Sequence, residues 1–173
     1  MKTLILGLTG SIGMGKTFAA DSFRRTHIPV FIADDAVHGL LSPMGEAVPL
    51  IRRFFPQAVQ NDIVDRRVLG DEVFGNTDNL RQLETILHPL VQKQKAKFLA
   101  RAQQQRQPVV VLEIPLLFET GGEAYCDYVV VVTAPAFVQR SRVMSRVGMT
   151  ELKYSQILAN QIPDSVKRKK ADF

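Results

Sequence analysis

The run Gly10-Ser11-Ile12-Gly13-Met14-Gly15-Lys16-Thr17 carries the clearest chemistry in this chain. It fits the pattern G-x-x-x-x-G-K-[ST], in which glycines let the backbone curl until successive N–H groups point inward as an anion nest. A helix opening near Lys16 would set a positive dipole end beneath the same anion. A loop of this kind, a P-loop, takes the phosphates of a nucleotide. Lys16 is then placed to reach the β- and γ-phosphates, and Thr17 to offer its hydroxyl to Mg²⁺. The spacing predicts an ATP site built from Ser11, Ile12, Gly13, Met14, Gly15, Lys16 and Thr17, with Thr17 as the metal ligand.

The loop names a ligand and leaves the reaction open. No N-K-x-D element for guanine and no L-S-G-G-Q-like element of a transporter ATPase occurs, so a small-molecule kinase is the favoured class. Such an enzyme must orient an acceptor hydroxyl against the γ-phosphate. Asp34 follows the second predicted strand and is the candidate to accept the hydroxyl proton or to hold Mg²⁺ through water. Capping of the next helix is the plainer role, and it is assigned to Asp35. Arg142 and Arg146 stand four apart and are expected on one helix face, with Arg140 on another. Arg142 is the candidate to close on the migrating charge; the alternative is that all three are surface arginines. The helices around them would form a lid that excludes water.

Short apolar runs and helical spacings supply the elements that must hold these groups. Thr3–Thr9 reads as a buried strand, Thr17–Thr26 as a helix with a stripe of Phe18, Ala19, Ser22 and Phe23, and Ile28–Ala33 as a second strand. This is a parallel crossover unit. Residues 35–106 read as mostly helical, with Leu80, Leu83, Leu87, Leu90 and Val91 at helical spacing. Pro89 is expected to begin a new helix, which makes His88 a loop or cap residue. Val109–Leu112 and Tyr128–Val132 read as further strands, and 136–147 and 151–161 as helices joined at Gly148. The result is an α/β fold with a parallel sheet covered on both faces. Ligands gather beyond the carboxyl ends of such strands. The glycine loop, Asp34-Asp35, Glu113-Ile114-Pro115 and the residues after Val132 all fall there and are expected to converge.

With 173 residues, 46% hydrophobic and 23% charged, the chain suits one compact domain with a real core. Its single cysteine, Cys126, excludes an internal disulfide and is read as a small, partly buried apolar residue. No apolar run approaches the ~20 residues of a membrane span, so a soluble, cytoplasmic protein with no membrane partner is expected. The net charge of +5 lies wholly in residues 137–173, which hold 8 Lys+Arg against 3 Asp+Glu. Lys167-Arg168-Lys169-Lys170 is expected to be solvated surface. No aromatic or groove-reading motif accompanies it, so nucleic acid is not the expected partner. The sequence leaves the oligomeric state open.

Taken in order, these segments resemble the dephospho-CoA kinase family. Gly7–Thr17 is similar to that family's GLTGGIGSGKS, and Ala33-Asp34 to the end of its D-A-D element. Asp65-Arg66-Arg67, Leu87-His88-Pro89-Leu90-Val91 and Pro115-Leu116-Leu117-Phe118-Glu119 resemble its D-R, L-H-P-L-V and P-L-L-F-E segments. Arg142, Arg146 and Gln161 fall where it has lid arginines and a glutamine. The resemblance implies a three-layer P-loop kinase fold: a core of about 1–34 and 107–135, a helical coenzyme-binding region of about 35–106 and a lid of about 136–162. It implies Asp34 as the base on the ribose 3′-hydroxyl of dephospho-CoA, and Arg66, His88 and Glu119 as residues that contact the acceptor or organise its pocket. Ile32 stands where the family has the first Asp of D-A-D, Ser11 replaces a glycine and Met14 a serine. Ala171-Asp172-Phe173 looks like the start of a strand that the family continues into a last helix, and that strand and helix are expected to be missing here. Two rival readings are a kinase for another small alcohol or nucleoside and a non-catalytic nucleotide-binding protein.

Overall fold

The computed structural model describes residues 2–173. In chain order the elements are β1 (Leu4–Thr9), α1 (Lys16–Arg25), β2 (Val30–Ile32), α2 (Ala33–Leu40), α3 (Val48–Phe54), β3 (Val59–Gln60), β4 (Ile63–Val64), α4 (Arg66–Val73), α5 (Thr77–Gln104), β5 (Val109–Glu113), β6 (Tyr128–Val131), α6 (Ala136–Met144), α7 (Glu151–Ala159) and α8 (Asp164–Lys170). Two compact units result: the chain up to Ile32 together with Arg101–Phe173, and Ala33–Ala100.

The first unit holds a four-stranded sheet in the order β2-β5-β1-β6, and every pair in it is parallel. Side chains alternate faces along a strand. Leu6, Leu8, Val111, Val130 and Val132 therefore share one face, where they pack with Ala19, Ala20 and Phe23 of α1. Gly7, Val129 and Val131 point the other way. There Leu117, Phe118, Cys126 and Ile162 close over Val129 and Val131, and a Cβ at Gly7 would stand 2.8 Å from Cys126 Sγ and 2.9 Å from Leu117 Cδ2. Cover on both faces is what a parallel sheet needs, and it makes Cys126 the half-buried apolar filler expected. Phe18 departs from the predicted stripe: it is 71% exposed, and Ala20 takes the inward place. The strand expected over Ile28–Ala33 shortens to Val30–Ile32, because Ala33 already opens α2. Asp35 is therefore inside the first turn of α2 rather than a residue capping it; there its charge suits the helix dipole. Ile32 packs against the apolar cluster under α1, which gives its side chain a core task. The chain's last residues run beside β6: Phe173 N–H donates to Val129 O at 3.1 Å and Val131 N–H to Phe173 O at 2.9 Å, the bonding pattern of a parallel neighbour.

The second unit is helical around a core of Leu40, Ile51, Phe55, Leu69 and Ile86. An antiparallel hairpin of β3 and β4 interrupts the helices. Its turn residues Asn61 and Asp62 have φ of 49° and 61°, the left-handed pair that a two-residue hairpin loop demands and that Asn and Asp tolerate. Asp65 caps α4, accepting from Arg67 N–H at 2.9 Å and Val68 N–H at 3.1 Å. Helix α5 runs unbroken through Pro89 for 28 residues, so His88 is a mid-helix residue rather than a cap. Proline removes one backbone bond and crowds the preceding turn. Leu83, Ile86, Leu87, Leu90 and Val91 lie on both sides of it and pack into the same core, which holds the helix together across the defect. Pro89 itself is exposed. Pro89→Ala restores the missing donor and is expected to raise stability by about 1–3 kcal/mol. Urea unfolding of both proteins measures this; an unchanged or lower midpoint contradicts the explanation.

Candidate nucleotide and acceptor sites

The loop between β1 and α1 is shaped by backbone approach. A Cβ at Gly10 would collide with Val132 O, and one at Gly13 would stand 2.6 Å from Val143 Cγ2. Gly15 precedes α1 at φ 102°, ψ 25°, a region that favours glycine. Inside the curl Met14 N–H donates to Ser11 O at 3.3 Å. Lys16 Nζ donates back to Gly10 O at 2.8 Å and Ser11 O at 3.3 Å. Arg142 of α6 reaches the same loop, its Nη1 3.4 Å from both Gly13 O and Met14 O. Met14 is buried, and its sulfur accepts from Ala134 N–H at 3.1 Å. Thr17, in the first turn of α1, is exposed.

Strand ends gather at this loop. Thr9 Oγ1 donates to Pro115 O at 3.1 Å, and Val132 N–H donates to Thr9 O at 2.8 Å. The loop, the segment after β5 and the residues after β6 thus meet within the first unit, as expected. Asp34-Asp35 belong to the second unit. Arg146 is corrected: α6 ends at Met144, so Arg146 lies in the turn beyond it and does not share a helix face with Arg142. Arg140 pairs with Glu151 of α7. Gly148, at φ 76°, joins the two helices as predicted.

Two glutamines hold one peptide of the loop. Gln161 Oε1 accepts from Ile12 N–H at 3.0 Å, and Gln139 Nε2 donates to Ile12 O at 2.8 Å. The amide of Ile12 is therefore engaged by a side chain rather than aimed into the nest. Next to Gln161, Ile162 N–H donates to Glu119 Oε1 at 2.8 Å, and Lys167 Nζ stands 2.8 Å from the same oxygen. Lys167 is wholly buried, which corrects its reading as solvated surface: α8 turns it inward because Glu119 waits there. Burial pushes the Glu119 carboxyl up, but the Lys167 ammonium beside it and the bond from Ile162 N–H outweigh burial and hold it below its ordinary value of 4.5.

The second unit has a pocket of about 310 Å³ lined by Asp34, Val37, His38, Leu41 and Arg66. Asp34, Val37 and His38 lie on α2, and Leu41 follows its last residue with its N–H still bonded to Val37 O at 3.1 Å, so this one segment supplies four of the five. Arg66, the first residue of α4, puts Nη1 2.6 Å from His38 Nδ1. A guanidinium only donates, so Nδ1 accepts and the neutral ring carries its hydrogen on Nε2. His38 and Gln139 were absent from the sequence reading. The spacing from Asp34 was a usable sign for His38; nothing local marks Gln139. His88 lies exposed on α5 and does not line this pocket.

The family described as dephospho-CoA kinase matches residues 4–173 of this chain. The chain belongs to the dephospho-CoA kinase family. A dephospho-CoA kinase of Mesorhizobium japonicum is 52% identical over 170 residues, covering 98% of this chain and 85% of the relative. One from Paramagnetospirillum magneticum is 52% identical over 164 residues, covering 95% of this chain and 77% of the relative. Among solved structures, a Thermus thermophilus protein superposes with a TM-score of 0.85 at 34% identity, over 99% of this chain and 86% of the other. The Campylobacter jejuni dephospho-CoA kinase superposes at 0.66 with 23% identity, again over 99% and 86%, and shares the fold. The α/β architecture with its central parallel sheet is thus the P-loop kinase fold.

The depressed Glu119 carboxyl links stability to pH. Its stabilising contribution is complete above the unfolded value near 4.5 and is lost as pH falls through the lower folded value. In thermal melts the wild type is expected to lose more melting temperature below pH 4.5 than Glu119→Gln/Lys167→Met, which lacks the pair. Parallel curves for the two proteins contradict this.

Proposed function

We propose that this chain transfers the γ-phosphoryl group of ATP to the ribose 3′-hydroxyl of dephospho-CoA, giving coenzyme A and ADP. The observation that carries the reading is a glycine loop of phosphate-binding shape in a chain that matches the dephospho-CoA kinase family from residue 4 to residue 173. The N–H groups leading into α1 cradle the phosphates, and the dipole of that helix adds to the field. Lys16 exchanges the loop carbonyls for the β- and γ-phosphates. Arg142 does the same; its two contacts at 3.4 Å are long for hydrogen bonds and are weakly held against a charged partner. Arg146, in the turn after α6, joins it as the helices of about 136–162 close as a lid and exclude water.

Mg²⁺ suits this donor set. Thr17 offers a hard hydroxyl oxygen at the phosphate end of α1, and Mg²⁺ carried by nucleotide phosphates takes only one or two protein ligands and keeps its waters. When bound, the ion offsets charge on the phosphoryl oxygens. The pocket of the second unit is assigned to the acceptor. Asp34 accepts the proton of the 3′-hydroxyl as the phosphoryl group arrives, and Arg66 organises the pocket through His38. The family position of His88 supports a further acceptor contact. Glu119 organises the neighbourhood through Ile162 and Lys167. No helix among the described residues is long and apolar enough to cross a membrane, which suits work on small soluble substrates in the cytoplasm.

A coupled ADP-release assay tests the reaction: dephospho-CoA must accelerate ADP release, and other nucleosides or alcohols must not. Lys16→Ala is expected to lower kcat/KM by about 100-fold or more, because a full charge on the transferring group is lost. Its circular dichroism should stay that of the wild type. Asp34→Asn should bind ATP with nearly unchanged affinity by calorimetry and lose about 10²–10⁴ in kcat, the range of a missing general base. Near-normal turnover in Asp34→Asn removes it from that role.

A further inference from the structure

Glu119 lies in a turn after β5, away from the glycine loop in sequence, yet a continuous set of bonds joins the two. Lys167 Nζ and Ile162 N–H both meet Glu119 Oε1, each at 2.8 Å. Ile162 is the residue after Gln161, and Gln161 Oε1 holds Ile12 N–H at 3.0 Å. Both backbone groups of Ile12 are thereby fixed, since Gln139 Nε2 holds its carbonyl at 2.8 Å. Lys167 is fully buried and Glu119 nearly so, at 0% and 14% side-chain exposure. A buried ion pair with a further N–H on the same oxygen is a stiff anchor, because moving either charge leaves the other unpaired.

We propose that Glu119 is a positioning residue for the nucleotide loop: pinned by Lys167, it fixes the Ile162 amide, which orients Gln161 so that its carbonyl sets the Ile12 peptide. The proposal rests on the glycine loop being the ATP site. The loop presents its remaining N–H groups to the phosphates only if its outer peptides stay turned away. Ile12 is the peptide where that orientation is enforced from outside. An amide N–H that swings inward, or a loop that samples several curls, weakens the grip on ATP and leaves the acceptor pocket of the second unit untouched. The same arrangement explains why a carboxylate, rather than an amide, sits at position 119. Its one oxygen must offset a buried ammonium and accept from a backbone N–H, and a charged oxygen does both better than an amide oxygen.

Gln161→Ala removes the last link without touching the buried pair. It is expected to raise KM for ATP about tenfold, with KM for dephospho-CoA within about twofold and the melting temperature nearly unchanged, the loss of about one charge-free hydrogen bond. Gln161→Glu keeps the acceptor and should recover most of the affinity. Glu119→Gln/Lys167→Met replaces the pair by neutral groups and should raise KM for ATP to a similar degree. Adding Gln161→Ala to it should raise KM no further, because both changes act through one contact. Should the double exchange not fold, Glu119→Asp, which keeps the charge and shortens the reach, replaces it with the same expectation. Wild-type protein that binds no ATP in calorimetry overturns the ATP-site reading and this relay together. Wild-type protein that binds ATP, beside variants whose KM for ATP is unchanged or rises additively, overturns the relay alone. A fall in kcat and melting temperature without the selective rise in KM for ATP also overturns it, since that is what simple loss of stability produces.

Discussion

The close approach of backbone to backbone around the glycine loop is the constraint on which the rest of the structure depends. Val132 O fills the space beside Gly10, and Val143 of α6 fills the space beside Gly13. The loop can lie between the end of β6 and α6 only because neither position carries a side chain. This wedge needs walls on both sides, and the strand order supplies them. With β1 between β5 and β6, Pro115 meets Thr9 from one side and Val132 from the other. An edge strand has no second wall. The curl that points N–H groups inward thus follows from the position of β1 in the sheet as much as from its glycines.

Two cations lie against carbonyls of the loop. Lys16 bonds neutral carbonyls of the loop, and Arg142 touches two more at long distance. A phosphate oxygen is a stronger partner than a carbonyl for either group. Exchange of carbonyl for phosphate is therefore favourable, and it needs only side-chain rotation. The carbonyls hold both side chains beside the curl. Fixed dipoles, nearby cations and a braced peptide at Ile12 act together as preorganisation, which limits how much rearrangement nucleotide binding requires.

Much of this was legible in the sequence because its causes are local. A glycine pattern after an apolar strand has few structural solutions, and buried parallel strands announce themselves as apolar runs. The errors came where packing overrode a local rule. Pro89 argues for a helix start, yet five apolar neighbours hold α5 straight through it. Phe18 fits a helical stripe, yet the core takes Ala20. Arg146 fits an i, i+4 partner of Arg142 only if α6 is long enough, and α6 stops at Met144. The Asn61-Asp62 turn carried a recognisable hairpin signal in a region read as mostly helical. Gln139 was beyond reach: a glutamine on a helix reads as surface, and only the fold shows that its amide is buried against Ile12 O.

Lys167 shows why segment charge is a poor guide to partners. In a run of four basic residues beside Val166, hydropathy assigns the valine inward and the lysine outward. The fold does the reverse: Val166 is 40% exposed and Lys167 is 0% exposed. An isolated ammonium in that place would be prohibitive, so the choice follows from Glu119 alone. The neighbouring cations have tasks of the same kind. Arg140 pairs with Glu151, Lys153 donates to Gly148 O at 3.3 Å, and Lys170 stands 5.6 Å from the centre of the Phe118 ring. Arg142 lies on the loop carbonyls. Much of the positive charge in residues 137–173 is therefore engaged by contacts within the chain, while Arg146, Arg168 and Lys169 lie exposed.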